Sequence, residues 1–256
     1  MIFKLKKNTT SFYYQNKFIL KINQLPQAPL EVLFEDNHLI AVNKPSGSLV
    51  QGDKTGDTPL SDEVKLFLKH KYLKSGDAFL GVPHRIDRPT SGLVLFAKTS
   101  KALVRLNKLF QDKEIAKTYW AITKQKPAQN EGTLIHFLKR NQEKNKSFAH
   151  NQMLEGAKQA ELSYKLIMSL DFYHLVEIYP KTGRQHQIRA QLAAINCPIK
   201  GDLKYGFDRS NKDASISLHA RAMNFVHPVS GEQIEIIAPP PKKDPVWKAV
   251  ARELIA

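Results

Sequence analysis

The sequence predicts an α+β fold in which a mixed, largely antiparallel central sheet is flanked by helices and loops. Strand-like runs recur along the chain, and the first two are separated only by Glu35-Asp36-Asn37-His38, a hairpin-length turn. Helical patterns lie between later runs without the strict strand–helix alternation of a doubly wound sheet. The composition is that of a globular protein, since 42% of the 256 residues are hydrophobic and 25% are charged.

The predicted strands are β-branched or alternating runs, and the predicted helices carry apolar residues at helical spacing. One helix follows Thr58-Pro59, a second follows Ser100, and a third opens at Gly183 with Ile188 and Leu192 on one face. Because side chains alternate along a strand, Tyr119 and Trp120 are predicted to face opposite sides, with Trp120 in the core. The strands are predicted over residues 31–34, 39–43, 93–97, 118–123, 162–168, 175–179 and 233–238.

Two irregular stretches predict the domain organisation. The short connector that ends at Pro29 predicts an N-terminal arm over residues 1–29, followed by one catalytic domain over residues 30–256. Residues 139–146 are polar, basic and aperiodic, which predicts a solvated loop or a flexible phosphate contact.

The charge balance indicates a nucleic-acid partner. Lys and Arg number 39 against 24 Asp and Glu, so the formal net charge is +15, and basic side chains gain affinity by releasing counterions from phosphates. The single cysteine, Cys197, excludes an internal disulfide and is typical of a reducing compartment. No apolar run is long enough for a signal peptide or a membrane span. We therefore expect a cytoplasmic protein without a membrane partner, and the absence of heptads favours a monomer.

The first cluster that could carry chemistry is His84-Arg85-Ile86-Asp87-Arg88-Pro89-Thr90-Ser91-Gly92. Pro89 blocks a helix and the residues after it favour a turn, so Asp87 is predicted to lie on a loop that enters the strand over residues 93–97. A loop carboxylate supported by a rigid sheet is a candidate nucleophile or acid/base.

The second cluster is Tyr179-Pro180-Lys181-Thr182-Gly183-Arg184-Gln185-His186-Gln187-Ile188-Arg189. If the helix opens at Gly183, Arg184 lies in its first turn, where the helix dipole favours anions rather than cations. An external carboxylate or phosphate partner would explain a cation at that position.

The first cluster closely resembles the signature of the RluA family of pseudouridine synthases. Later segments resemble further family motifs in the same order: Lys117-Thr118-Tyr119-Trp120-Ala121, residues 182–189 of the second cluster, Gly201-Asp202 with Tyr205-Gly206, and Leu218-His219-Ala220. The resemblance runs from about residue 30 to residue 240 and implies the pseudouridine synthase fold with a central active-site cleft. It implies an isomerase that needs no metal, nucleotide or other cofactor. Many relatives carry an S4 RNA-binding domain, for which residues 1–29 leave no room.

The resemblance also implies roles for individual residues. Asp87 matches the catalytic aspartate, Tyr119 the tyrosine against the target base, and Arg184 the basic residue that pairs with the aspartate. Ile188 matches an apolar residue of the base pocket, and Arg85 the arginine that enters the RNA helix where the flipped nucleotide left. His186, Gln187 and Arg189 are assigned structural or phosphate-facing positions.

Two other functions compete with an RNA pseudouridine synthase. A non-catalytic RNA-binding or ribosome-assembly protein could keep the fold, although binding alone needs no carboxylate near phosphates. A metal-dependent phosphoesterase could use Asp87, His84 and His186, but neither motif supplies a second acidic ligand. Ribosomal RNA and transfer RNA are both open as substrates, and Asp87 could either attack C1′ or take a proton from C2′.

Overall fold

The computed structural model describes residues 30–254, so the predicted N-terminal arm over residues 1–29 lies outside the described residues. The described part contains ten strands and four α-helices. The helices are α1 (Leu60–Lys71), α2 (Ser100–Gln111), α3 (Gln187–Ala194) and α4 (Pro245–Glu253). The strands are β1 (Val32–Glu35), β2 (Leu39–Lys44), β3 (Ser91–Ala97), β4 (Ala116–Thr123), β5 (Glu131–Asn141), β6 (Lys146–His150), β7 (Lys158–Ser169), β8 (His174–Pro180), β9 (Leu218–Val226) and β10 (Gln233–Ile237).

All ten strands belong to one sheet in the order β1-β2-β3-β9-β4-β8-β7-β5-β6, with β10 paired to β9. Every pairing is antiparallel except that of β3 with β9, which is parallel. The predicted mixed, largely antiparallel sheet is therefore confirmed. The single parallel contact joins Ser91–Gly92 to His219–Ala220, directly after the loop that carries Asp87.

Helices pack on both faces of the sheet because apolar side chains of the central strands alternate between the two faces. On one face, α1 covers β2 and β3 through Leu60, Val64 and Leu68, and α3 covers β4, β7 and β8 through Ile188 and Leu192. On the other face, α2 covers β2 and β3, and α4 places its tryptophan and Val250 against β4 and β8. None of these helices, within the residues described, is long and apolar enough to cross a membrane.

Tyr119 and Trp120 lie on opposite faces of β4, as the alternation predicts. Trp120 is buried beneath α4, with its indole Nε1 donating to Glu177 Oε2 at 2.7 Å. Tyr119 packs against both the α1 cluster and the α3 cluster, so it lies where the two halves of that face meet.

The sequence patterns missed β5, β6, β9 and α4. Residues 139–146 do not form the predicted loop, because Lys139–Asn141 end β5 and Lys146 begins β6. The turn between them is tight: the Asn141 side chain accepts from Lys144 N at 2.8 Å, and Asn145 adopts a positive φ of 42°. Asn adopts the left-handed region more readily than most residues do. The polar composition of residues 139–146 therefore indicates a hairpin turn.

The third helix begins at Gln187, four residues after the predicted start at Gly183. The Gln187 side chain holds the preceding residues in a turn, since its Oε1 accepts from Thr182 Oγ1 at 2.7 Å and from Arg184 N at 3.0 Å. His186 precedes the helix in the left-handed region, with φ 54°. Arg184 therefore lies before the helix, and the predicted clash with a helix dipole does not exist.

Candidate active site

Asp87 lies on a loop that ends at Thr90, and β3 begins at the next residue, as predicted. Backbone hydrogen bonds fix this loop on several sides. Thr90 N donates to Asp87 O at 3.0 Å, Gly47 N donates to Arg88 O at 2.8 Å, and Ile216 N donates to Pro89 O at 3.2 Å. The loop is therefore attached both to the segment after β2 and to the segment before β9.

Lys44, the last residue of β2, supports the same loop from inside the protein. Its side chain is fully buried, and its Nζ donates to Pro45 O, Ser48 O and Arg88 O at 2.9, 2.8 and 3.1 Å. Burial lowers the pKa of Lys44 to about 7, an effect that the charge of Asp87 opposes and that of Arg88 reinforces. The ammonium thus connects the turn after β2 to the loop of Asp87.

Arg189 on α3 joins two carboxylates. Its Nη1 donates to Asp87 Oδ2 at 3.0 Å, while Nε and Nη2 donate to Asp202 Oδ2 and Oδ1 at 2.7 and 2.8 Å. The side chains of Arg189 and Asp202 are only 6% and 1% exposed. Burial opposes the charged guanidinium, but the hydrogen bonds and charges of the two carboxylates raise the pKa of Arg189 overall. A planar guanidinium can hold Asp202 with two donors and still direct a third at Asp87.

The prediction that Arg184 pairs with Asp87 is wrong. Arg184 is exposed, and its Nε donates to the backbone oxygen of Gln159 at 3.0 Å. The physical reason is the later start of α3, which leaves Arg184 on the preceding turn and places Arg189 on the first turn of the helix, facing Asp87. The sequence interpretation assigned Arg189 a structural or phosphate-facing position and no part in the pairing with Asp87; the structure instead places its guanidinium in contact with Asp87.

His186 and Tyr205 complete the surroundings of Asp87. His186 Nε2 lies 3.9 Å from Asp87 Oδ2, and its Nδ1 lies 3.1 Å from the Tyr205 hydroxyl. Burial lowers the pKa of His186, and the negative charge of Asp87 acts in the opposite direction. The Arg189 guanidinium lies 5.0 Å from the centre of the Tyr205 ring.

Both carboxylate contacts of Asp87 use Oδ2, and within residues 30–254 Oδ1 has no hydrogen-bond partner. The Asp87 side chain is 27% exposed.

The pairing register of β3, β9 and β4 places Tyr119 close to the Asp87 loop. It pairs with Ala220 of β9, and Ala220 pairs with Gly92 of β3, five residues after Asp87. Burial raises the pKa of the Tyr119 phenol above its ordinary range, and the charge of Asp87 raises it further. The phenol is therefore protonated at neutral pH, which favours packing and hydrogen-bond donation over action as a base.

Ile188 is buried in the apolar cluster against which Tyr119 packs. The structure thus places the two predicted base-pocket residues in one apolar region. Arg85 lies two residues before Asp87, and its side chain is exposed. Of the predicted site residues, Asp87, Tyr119 and Ile188 lie together, Arg85 lies on the surface beside them, and Arg184 lies apart.

His84 is used for structure and not as a metal ligand beside Asp87. Its Nε2 accepts from Leu95 N at 2.9 Å, its ring stacks on Phe110 of α2, and burial lowers its pKa to about 3. The ligand set of the phosphoesterase alternative is therefore not assembled. Within residues 30–254, no group of three or more His, Cys, Asp or Glu side chains is placed to hold a metal ion.

The sequence interpretation did not assign Lys44, Asp202 and Tyr205 to the site. A signal existed for two of them, because Gly201-Asp202 and Tyr205-Gly206 were among the family-like segments. Their contacts with Arg189 depend on the return of the chain after α3, which no local pattern specifies. Lys44 gave no signal, since a lysine at the end of a strand is ordinarily exposed.

Comparison with known proteins identifies the family of this chain. The family model for RNA pseudouridylate synthase matches residues 38–194. A ribosomal large subunit pseudouridine synthase C of Rickettsia prowazekii is 34% identical over 213 residues, which are 81% of this chain and 67% of that protein. A tRNA pseudouridine synthase C of Vibrio vulnificus is 32% identical over 237 residues, 86% of this chain and 93% of that protein. The chain thus spans about two thirds of its ribosomal relative.

Among solved structures, the human protein RNA pseudouridylate synthase domain containing 4 superposes with a TM-score of 0.69. Its sequence is 23% identical, and the match covers 90% of this chain and 94% of that one. The predicted fold is thereby confirmed. The matched family model includes the Asp87 loop, β4 and the whole of α3. Together with relatives above 30% identity over most of its length, it shows that this chain belongs to the RNA pseudouridylate synthase family, as the motifs indicated.

Proposed function

We propose that this protein isomerises a specific uridine of ribosomal or transfer RNA to pseudouridine, with Asp87 as its catalytic carboxylate. The reaction breaks the N1–C1′ bond, turns the uracil and forms a C5–C1′ bond; C5 loses a proton and N1 gains one. The observation that carries the proposal is the Asp87–Arg189 contact at 3.0 Å. It aims one carboxylate oxygen and leaves the other available to the ribose.

Each neighbour of Asp87 has a part in the proposed reaction. Arg189 orients the carboxylate of Asp87 through its Nη1, and both attack at C1′ and removal of a proton at C2′ require a correctly oriented carboxylate. Because Asp202 holds two donors of Arg189, the guanidinium keeps its direction while the charge on Asp87 changes. Tyr119 offers its ring face to the uracil, and Ile188 contributes to the apolar side of the pocket.

A uridine inside stacked RNA must leave the stack to reach Asp87, which costs a few kcal/mol. Arg85 is exposed two residues before Asp87, so its planar guanidinium is free to fill the space that the base leaves. We therefore assign Arg85 to RNA binding and base flipping. The protein needs no metal or nucleotide in this proposal, and we expect it to act as a cytoplasmic monomer.

The proposal is tested by mapping pseudouridines in total RNA from a strain that lacks the gene, from its parent, and from the deletion strain complemented with the wild-type protein. One or a few uridines, in ribosomal or in transfer RNA, should lose modification in the deletion strain and regain it on complementation. The mapping identifies the substrate at the same time. Identical pseudouridine maps in all three strains would favour the competing function, a non-catalytic RNA-binding or ribosome-assembly protein.

A further inference from the structure

Six cations lie together where α3 meets the β5–β6 hairpin, and neither of the two sequence clusters accounts for them as a group. They are Arg140, Lys144, Lys146, Lys158, Arg184 and Lys204, here called the cationic surface. None of the six forms an ion pair within the part of the chain that the structure describes, whereas nearby Lys181 is paired with Glu161. The hairpin turn contributes one carboxylate, Glu143, so the surface has a large excess of positive charge.

Polar contacts join four separate segments into this surface. Asn145 of the hairpin turn accepts two hydrogen bonds. Lys204 Nζ donates to the backbone oxygen of Asn145 at 3.1 Å, and Gln185 Nε2 donates to its side-chain oxygen at 2.8 Å. Arg184 Nε is held by the backbone oxygen of Gln159 at the start of β7. The cations are thus carried on a fixed scaffold, which reduces the conformational entropy lost when a ligand binds.

Strand register shows that two of the cations face the same side of the sheet as α3. Arg140 pairs with Ser147, whose hydroxyl donates to Gln185 O at 2.8 Å. Lys158 pairs with Leu138, which is buried in a cluster with Ala190 of α3. Because paired residues point to the same face, the exposed side chains of Arg140 and Lys158 extend beyond the edge of that cluster.

The cationic surface begins next to the Asp87 site. Tyr205 contacts both: the Lys146 ammonium lies 4.8 Å from the centre of its ring, and the Arg189 guanidinium lies 5.0 Å from it. Arg189 in turn contacts Asp87 at 3.0 Å. One aromatic ring is therefore in contact with a cation of the surface and with the arginine that binds Asp87.

We propose that the cationic surface binds the phosphate backbone of the RNA that flanks the target uridine. Unpaired, preorganised Lys and Arg beside a site for a nucleotide are the chemistry that a polyphosphate strand requires. Contacts to phosphate position the RNA and carry no sequence information. The surface thus contributes affinity and orientation, and Arg184, which does not contact Asp87, acts here. This inference rests on the proposed function.

The test compares two double variants that remove the same charge from opposite faces of the same strands. Arg140→Gln/Lys158→Gln removes two cations of the surface. Lys139→Gln/Lys165→Gln removes two exposed cations from β5 and β7 on the other face, because side chains alternate along a strand. All four side chains are exposed, so both variants should fold, which thermal melts verify.

Binding is measured by titrating salt against in vitro transcripts of large-subunit ribosomal RNA and of transfer RNAs. The surface variant should bind more weakly and reduce the slope of log affinity against log salt by about two units, one for each lost phosphate contact. The variant of the opposite face should behave as the wild type in both affinity and slope.

Two outcomes overturn the inference: an unchanged slope in the surface variant, or an equal loss in both variants, which would reflect net charge alone. The first would leave the surface open to a partner other than RNA. The proposed function fails separately, if the wild type forms no pseudouridine in either RNA. A difference in RNA binding between the two variants would still be measurable in that case.

Discussion

Arg189 donates hydrogen bonds to two carboxylates at once, Asp202 and Asp87. We therefore expect it to tolerate substitution less than any other side chain around Asp87. Asp202 is buried and depends on the guanidinium for its charge balance, whereas Asp87 is partly exposed and takes only one of its donors. Removing one partner of a buried ion pair costs about 3–5 kcal/mol because the other charge remains uncompensated. A truncating substitution would therefore confound folding with catalysis, and the informative change is one that keeps the charge.

We predict that Arg189→Lys lowers kcat about 100-fold, since one ammonium cannot hold Asp202 with two donors and still orient Asp87. RNA affinity should stay close to that of the wild type. The matched control is Arg184→Lys, which keeps the charge of a side chain that contacts a backbone oxygen and should keep kcat. Single-turnover rates at saturating enzyme, with thermal melts of both variants, provide the measurement. Full activity in Arg189→Lys, or a large loss of kcat in Arg184→Lys, would contradict the assignment.

The approach of β3 to β9 is the contact between elements on which the site geometry most depends. Gly92 has φ 114°, and a Cβ at this position would lie 2.3 Å from Ala220 O and 2.5 Å from Ala220 N. Only glycine fits such a backbone and such a distance. The same pair of residues aligns β3 with Tyr119 on β4, so a shift here separates the Asp87 loop from the tyrosine.

Gly92→Ala should therefore lower the free energy of unfolding by at least about 3 kcal/mol, because the backbone of β9 must move. Gly183→Ala is the control: no heavy atom lies within 4 Å of a Cβ built there, so its effect should stay below about 1 kcal/mol. Urea denaturation measures both. Equal stabilities of the two variants would show that β3 and β9 do not need the close approach.

Elements with a strong local pattern were predictable, and elements defined by distant partners were not. β2 and β3 are buried on both faces and alternate cleanly between the two clusters, so their apolar runs identified them. α4 was missed although Asp244-Pro245 is a typical start, with Asp244 Oδ1 accepting from Val246 N at 2.7 Å. The start of α3 could not be predicted, because it depends on Gln187 bonding back to Thr182 and Glu161.

The residues of the candidate site also fall into two groups, those that a local sequence pattern predicts and those that only distant contacts define. Asp87 was predictable from its own loop, since Pro89 and the turn residues after it fix the entry into β3. Its arginine partner was not, because the register of α3 decides between Arg184 and Arg189, and that register follows from tertiary hydrogen bonds. The buried ammonium of Lys44 likewise becomes visible only when the three carbonyl oxygens around it are known.

Two histidines with lowered pKa values contribute to how the stability of the domain depends on pH. Burial lowers the pKa of His84 to about 3, helped by the charge of Lys117. Burial also lowers the pKa of His219 to about 4. Both values lie below the ordinary value of about 6.5. Between the lowered pKa of each histidine in the folded protein and its ordinary value in the unfolded chain, the unfolded chain binds a proton that the folded chain does not. The free energy of unfolding therefore falls as the pH decreases through this range.

We predict that the free energy of unfolding decreases between pH 7 and pH 5, by up to about 2 kcal/mol for each of the two histidines. The ordinary pKa values of Asp and Glu, about 3.9 and about 4.3, lie below this window. His84→Gln, which keeps an acceptor for Leu95 N, should make the decrease smaller by one histidine's share. Urea denaturation at several pH values is the measurement. A stability that rises towards pH 5, or a slope unchanged in His84→Gln, would contradict this explanation.

The most direct test of the catalytic assignment is pseudouridine formation by purified wild type and Asp87→Asn on the RNA identified by mapping. The substitution keeps the shape of the side chain and removes the charge that either route requires, while Asp202 continues to hold Arg189. We predict that the wild type converts the target uridine without added nucleotide, and that Asp87→Asn binds the same RNA with similar affinity but forms no pseudouridine. Turnover by a clean preparation of Asp87→Asn at a rate near that of the wild type would contradict the assignment of Asp87 as the catalytic carboxylate.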